Sequence, residues 1–362
     1  MPPTTTITRQ ECERFLTDVF SAAGCPPPAA RDWAALLTET SLLGIDSHGI
    51  RALASYLRFI DGGGLDPAAP VTVLAEHGAC VRLDGGHGPG HIAALAATRH
   101  AVEKARAFGC GCCNVAHVNH VGATGVFARR AALEGCVAIC FGLGRSLMAP
   151  DGGREPLVGA NPLAIAAPLG DDRFFLTDFC LSTVAMGKVA QVLDAGGRIP
   201  EGWALDREGR PTTDPAAGMK GSLLPMGGHK GFGLALALEI LTAGLSGGPF
   251  ATGVRSWIQQ TKEPMDASLT LIVLDIRMFR AVPDFTRHVE SWLEEITSAV
   301  PVDPAKPVRY PGKGAGETMA RRSREGIPLA PKTVAEWQAI AVKFKLNPPS
   351  FQEHPFPTDT IP

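Results

Sequence analysis

The sequence predicts an α/β protein of the α+β type, in which a helical N-terminal segment leads into a mixed sheet, and three observations carry that reading. Apolar residues recur at helical spacing from Thr8 to about Leu57. From Val71 onward, short β-branched runs alternate with helical stretches. The G-x-G-x-x-G loop that opens a dinucleotide-binding Rossmann unit is absent, and the nearest strings, Gly86-His-Gly88-Pro-Gly90, Gly142-Leu-Gly144 and Gly312-Lys-Gly314-Ala-Gly316, lack its spacing and flanking elements.

The elements follow in order. Ile7-Thr8 with Glu11 three residues on reads as a helix cap, ahead of Cys12, Phe15, Leu16, Val19 and Phe20 at helical spacing. Pro26-Pro27-Pro28 ends that helix, Ala29 to Leu43 reads as a second, and Ser47 to Ile60 as a third, stopped by Gly62-Gly63-Gly64. Strands fit Val71 to Leu74 and Cys80 to Leu83, and a glycine-rich link leads to a helix from His91 to Phe108. Strand Cys112 to Ala116, helix Gly122 to Glu134 and strands Val137 to Phe141, Leu163 to Ala167 and Phe174 to Asp178 make the mixed sheet. Gly196 to Lys220 is polar and aperiodic and reads as an ordered surface loop. Helix Gly231 to Leu245, strand Leu269 to Asp275 and helices Asp284 to Ser298 and Thr333 to Phe344 follow, with a proline-rich tail after Leu346 extended over the surface. No internal repeat is present.

Bulk properties narrow the function. A chain of 362 residues has room for two or three domains, and 45% hydrophobic with 19% charged residues is a globular composition. The net charge of -2, without long runs of one sign, points away from nucleic acid and membrane surfaces and toward a small-molecule partner. Nine cysteines, an odd number, in a chain that starts MPPTTTITRQ without a basic and apolar signal segment, lead us to expect a cytoplasmic protein without disulfides. Cys110, Cys112 and Cys113 with His117 and His120 lack the paired C-x2-C spacing of zinc sites, so no metal is expected. No apolar stretch reaches the roughly 18 residues that span a bilayer.

Ten histidines are present, and imidazole exchanges protons near neutral pH. His120 stands out in N-H-V-G at the exit of an expected strand, and His48 stands among Asp46, Ser47, Gly49 and Arg51. Ser47 lacks a nucleophile elbow, and its adjacent histidine cannot face it on a helix, so it reads as a helix cap or a substrate hydrogen bonder. Arg51 is either a bidentate clamp for a carboxylate or an exposed helix arginine. Lys230, in M-G-G-H-K-G-F-G ahead of a helix, suits a phosphate or carboxylate at the positive end of the helix dipole, against the plainer reading of a solvated lysine in a glycine turn.

The chain closely resembles the type 2 malate/L-lactate dehydrogenase family, with its sulfolactate, ureidoglycolate and piperideine-2-carboxylate relatives. The strings that carry the resemblance are GIDSHGIR at 44–51, NHVGATGVFA at 119–128, EPLVGANPLAIAAP at 155–168, IPEGWALDREGRPTTDP at 199–215, LPMGGHKGFGLALALEIL at 224–241 and EGIPL at 325–329. The resemblance implies a non-Rossmann fold with a largely antiparallel central sheet. It implies a helical domain of residues 1–75 plus about 300–362, an α/β substrate portion of 76–125 and 220–299, and a cofactor-binding portion of 126–219.

The activity implied is NAD(P)-dependent hydride transfer to or from C2 of a small 2-oxo or 2-hydroxy acid. Reduction of cyclic 2-imino acids is the alternative, and a catalytically silent paralogue a third reading. By the same resemblance His120 is the acid/base, Ser47, His48 and Tyr56 lie at the substrate, and Ser146, Asp178, Phe179, Cys180, Lys230, Gly312, Lys313 and Gly314 contact the cofactor; His48 is further read as catalytic, Arg51 and Asn161 as substrate-facing and His229 as a cofactor contact. A homodimer is implied. Three departures stand out: the arginine usual at position 52 is replaced by Ala52 with Arg51 beside it; Lys313 stands where relatives have an acidic residue; and Arg145 lies in Gly142-Leu143-Gly144-Arg145-Ser146, where relatives read T-N-S-P. Arg145 and Lys313 lean toward NADP, whose extra phosphate wants cations.

Overall fold

The structure, a computed structural model, describes residues 4–354. A short strand β1 (Thr4–Ile7) precedes helix α1 (Arg9–Ala22), and Thr8 caps the helix by accepting the Glu11 amide on Oγ1 at 3.2 Å. Cys12, Phe15, Leu16, Val19 and Phe20 are fully buried, the single stripe their spacing demands. Pro27 and Pro28 open α2 (Pro27–Leu42) rather than merely ending α1, because a first-turn proline forfeits no helical hydrogen bond.

The expected helix from Ser47 to Ile60 is broken. Two 3-10 turns, Asp46–His48 and Ile50–Ala52, precede α3 (Leu53–Asp61). Between them Gly49 sits so close to α2 that a Cβ there would lie 2.1 Å from Ser41 Oγ, and that hydroxyl accepts the Ile50 amide at 3.0 Å. Arg322 holds the turn from outside by bonding both the Asp46 carboxylate and the Ser41 carbonyl.

The chain continues through β2 (Thr72–His77), β3 (Cys80–Asp84), α4 (Gly90–Phe108), β4 (Cys110–Val118), α5 (Thr124–Leu133) and β5 (Cys136–Gly142). Short strands β6 (Ser146–Met148) and β7 (Val158–Gly159) lead to the longer β8 (Pro162–Pro168) and β9 (Phe174–Cys180). Next come α6 (Met186–Asp194), β10 (Ala204–Leu205), β11 (Pro211–Thr212), α7 (Pro215–Lys220), β12 (Ser222–Leu223) and α8 (His229–Glu239), which runs on as a π-turn from Ile240 to Gly244. The last part holds β13 (Ala267–Asp275), α9 (Val282–Thr297), α10 (Lys313–Glu325), β14 (Ile327–Leu329), α11 (Pro331–Phe344) and β15 (Gln352–His354).

Seven strands form the central sheet in the order β2-β3-β4-β13-β5-β8-β9. Only β3 and β4 pair in parallel, so the sheet is mixed and largely antiparallel. Alternate residues of β5 feed two cores, as the two-residue period of a strand requires: Ala138 and Cys140 join the main core with α4 and α5, while Ile139 and Phe141 meet Ala235 and Leu238 of α8.

The stretch from Gly196 to Lys220 is not a plain loop. It carries β10, β11 and α7, and two of its strands join the five-stranded sheet β11-β10-β12-β6-β7. Two-residue strands are too short to show a period in sequence. Helices α6 and α10 were not foreseen either; α10 buries only Arg322, so it has no apolar stripe to read. The described part of the tail pairs as β15 with β1, and residues 355–362 lie outside the described residues.

Candidate active site

β4 ends at Val118, and His120 follows within the bend that leads to α5. Its Nδ1 lies 2.7 Å from Tyr56 Oη on α3. The indole of Trp257 stacks on both rings, 4.4 Å from the His120 centroid at 16° and 4.9 Å from that of Tyr56 at 15°. His48 approaches from the 3-10 turn, its ring centroid 5.5 Å from that of His120, and its Nδ1 lies 2.8 Å from Ser47 Oγ. His120 and His48 are half-buried and Ser47 is exposed, so the cluster opens to solvent on the Ser47 side, while Tyr56 is fully buried behind it.

Burial dominates the electrostatics. It pushes the His120 imidazole well below the ordinary histidine range, and the neighbouring His48 and His91 push it further. Burial lowers His48 as well, against an opposing pull from Asp178. The Tyr56 phenol is driven up by burial and stays protonated. Asp178, on β9, is raised by burial, while the Gly125 amide (2.8 Å), the Thr124 hydroxyl (3.0 Å) and His48 favour its charged form. It thereby caps α5, the helix that follows His120.

His91 was not singled out in the sequence. It is fully buried, neither ring nitrogen has a hydrogen-bond partner among the described residues, and its ring stands edge-on to Tyr56 at 5.3 Å. Burial, then His48, brings its pKa down to about 3. An unfolded chain takes up a proton here below about pH 6.5 and the folded chain refuses it, so stability falls as pH drops from 6.5 toward 3 by up to roughly 1.4 kcal/mol per pH unit. Thermal melts between pH 7 and 4 should therefore show a shallower acid loss in His91→Leu than in the native chain; parallel curves would contradict the assignment.

Residues assigned to the cofactor lie on several loops. Ser146 Oγ is buried without a hydrogen-bond partner among the described residues. Beside it Arg145 is half-buried with no hydrogen bond or ion pair among the described residues, and burial lowers its pKa. Gly227 and Gly228, both at φ 63°, turn the chain into α8, and His229 and Lys230 stand exposed in its first turn, where backbone amides lack helical acceptors. The same two glycines line a cavity of about 320 Å³. Gly312, at φ 96°, approaches Leu176 so closely that a Cβ would lie 2.6 Å from its nitrogen. With Lys313 it borders a cavity of about 670 Å³, whose walls include neither His48 nor His120. A Cβ at Gly314 would make only an ordinary contact, 3.9 Å from Arg309 Nη2, Phe179 packs at the edge of the second core, and Cys180 Sγ lies 3.3 Å from Ser182 Oγ.

Two substrate-side assignments sit differently from the imidazole cluster. Asn161 is fully buried at φ 25°, and its amide is occupied inside the protein: Oδ1 accepts from the Gly144 amide, and Nδ2 donates to Ala235 O and Glu239 Oε1, each at 3.3 Å. Arg51 is exposed, with no hydrogen bond or ion pair among the described residues. Trp257, which stacks on His120, comes from an aperiodic stretch before β13 and carried no sequence signal.

A family model described as malate/L-lactate dehydrogenase matches residues 7–338. A malate dehydrogenase of Pyrococcus horikoshii is 33% identical over 90% of this chain and 92% of its own. A (2R)-3-sulfolactate dehydrogenase (NADP(+)) of Chromohalobacter salexigens is 35% identical over 93% and 98%. The crystal structure of a delta1-piperideine-2-carboxylate reductase from Pseudomonas syringae superposes with a TM-score of 0.85 at 29% identity, covering 93% of this chain and 99% of that one. No helix among the described residues is long and apolar enough to cross a membrane.

Proposed function

This chain belongs to the malate/L-lactate dehydrogenase family and is an oxidoreductase, and we propose that it moves a hydride between a nicotinamide cofactor and C2 of a small 2-oxo or 2-hydroxy acid. The observation that carries this reading is the Tyr56–His120–Trp257 stack beside His48: an imidazole kept neutral by burial, held at one nitrogen and open toward solvent on one side. The bound nicotinamide supplies the hydride in reduction and takes it up in oxidation. His120 handles the proton. Nδ1 is held by Tyr56, so in oxidation neutral Nε2 removes the proton of the C2 hydroxyl and becomes imidazolium, and in reduction Nε2, protonated beforehand from solvent, returns that proton to the oxygen at C2. In the oxidative direction Nε2 is bare and Nδ1–H donates to the Tyr56 oxygen. Ser47 and His48 hydrogen-bond the substrate, and Arg51 attracts its carboxylate.

The pH dependence follows from the lowered pKa. The base works when unprotonated, so kcat/KM for oxidation should stay level across neutral pH and fall only below the ordinary histidine value of 6.5. A bound carboxylate raises the proton affinity of a nearby imidazole, so the acid limb of kcat should lie at higher pH than that of kcat/KM. A kcat/KM limb at or above 6.5 would contradict the assignment.

The chain's own residues fit a dinucleotide. The orphan Ser146 hydroxyl, the glycine turn into α8 with His229 and Lys230, the stretch Asp178, Phe179 and Cys180, and the segment Gly312, Lys313 and Gly314 would hold it. We propose NADP as the preferred form, because the unpaired half-buried Arg145 and Lys313 supply cations for a second phosphate. Arg145→Ala should raise the KM for NADPH by about 10-fold or more, one lost charge-assisted contact, and leave that for NADH nearly unchanged.

The likeness to the piperideine-2-carboxylate reductase favours a second reading, reduction of a cyclic 2-imino acid at the same site. Steady-state assays of pyruvate, oxaloacetate, sulfolactate and cyclic imines with both cofactors separate the two. Turnover of none of them would overturn the proposal. A homodimer in a reducing, cytoplasmic setting completes the reading; nine free cysteines suit that redox state, and sedimentation tests the dimer.

A further inference from the structure

We propose that His87, His117 and Asp266 form a site for a divalent transition-metal ion of the zinc class, separate from the imidazoles that carry the chemistry. His87 lies in the link between β3 and α4, His117 near the end of β4, and Asp266 immediately before β13. One ring nitrogen from each histidine and a carboxylate oxygen lie within 4.8 Å of one another. Asp266 Oδ1 is 2.9 Å from His117 Nδ1 and 3.8 Å from His87 Nδ1. Tetrahedral zinc, with bonds near 2.0–2.2 Å, sets neighbouring ligand atoms roughly 3.4 Å apart. The observed spacings bracket that value.

Two further observations point to a ligand. His87 Nδ1 is shielded from solvent and has no hydrogen-bond partner among the described residues, an uncompensated atom 3.8 Å from Asp266 Oδ1. All three residues also take the left-handed backbone, with φ of 57° at His87, 54° at His117 and 57° at Asp266, which side-chain-bearing residues adopt at a cost and which clusters at functional positions. For His117 the cause is a bulge: pairing between β13 and β4 slips between Ala267 and Leu269, and a bulge re-aims the side chain it carries.

The frame is already set. The Gly85 amide donates to Ala116 O and the His87 amide to His117 O, both at 2.8 Å; Asn119 accepts the Met265 amide at 2.8 Å and donates to His87 O at 2.5 Å. An ion would therefore staple from outside the three segments that Asn119 ties from within. The side chains are 40%, 37% and 22% exposed for His87, His117 and Asp266, which leaves a fourth position for water. Of the Cys/His run from Cys110 to His120, only His117 belongs to this set. His120 follows it by three residues, so the ion stiffens the loop that carries the acid/base.

The test uses full-length, chelator-treated protein titrated with Zn(II) and, for its visible spectrum, Co(II). Expected are one ion per chain, a raised melting temperature, and cobalt bands without thiolate charge transfer. His87→Asn tolerates a left-handed backbone and breaks no side-chain hydrogen bond among the described residues, so it should melt like the native protein without metal yet bind at least about 10-fold more weakly, and His117→Asn should lose the ion likewise. Equal affinity in the native chain and His87→Asn, or a thiolate band, would overturn the site.

Discussion

Replacing His120 by alanine should lower kcat/KM by about 10²–10⁴-fold, the range a positioned proton donor and acceptor contributes, while nicotinamide fluorescence titration shows cofactor binding unchanged. The loss should fall on kcat more than on KM, because the proton moves in the transition state rather than on binding. Tyr56→Phe removes the hydroxyl 2.7 Å from Nδ1 and should cost only about 2–10-fold, one net hydrogen bond. Once His120 is alanine the Tyr56 phenol has no imidazole to hold, so adding Tyr56→Phe should change almost nothing. Additive losses would mean that Tyr56 acts on the substrate directly, and near-normal turnover of His120→Ala would end the proton-transfer role.

The fold was legible where burial writes a period into the sequence, and obscure where it does not. The α1 stripe and the inner strands of the central sheet could be read, because each turns one face to a core; β2, mostly exposed, was read from its β-branched run alone. The break at Gly49 could not, since it depends on the Ser41 hydroxyl of another helix. β10 and β11 were hidden by their length and α10 by its polarity. At the site, His48, Tyr56 and His120, each singled out in the sequence, lie together. Trp257 and His91 completed the cluster from stretches whose composition says nothing of their neighbours, and the internal engagement of the Asn161 amide is a tertiary fact of the same kind.

Trp33→Ala should destabilise the protein by about 3–5 kcal/mol, read as a lowered urea midpoint, since a fully buried indole leaves both lost contacts and a cavity. Trp33 stacks on Phe20 with centroids 4.0 Å apart at 2°, and meets Tyr56 edge-on at 5.3 Å and His91 at 5.8 Å. It thus joins the N-terminal helical core to the ring that holds His120. Its Nε1 is buried without a partner, a desolvated donor costing about 1–3 kcal/mol. Trp33→Phe discards that donor and keeps an aromatic face, so it should recover most of the stability lost in the alanine variant. Activity separates packing from positioning. At a temperature where both variants remain folded, Trp33→Ala should also lose kcat, because Tyr56 gains room to leave Nδ1, whereas Trp33→Phe should keep it. If the alanine variant unfolds earlier but turns over normally while folded, the helical core supports the fold alone, and Tyr56 takes its position from Trp257.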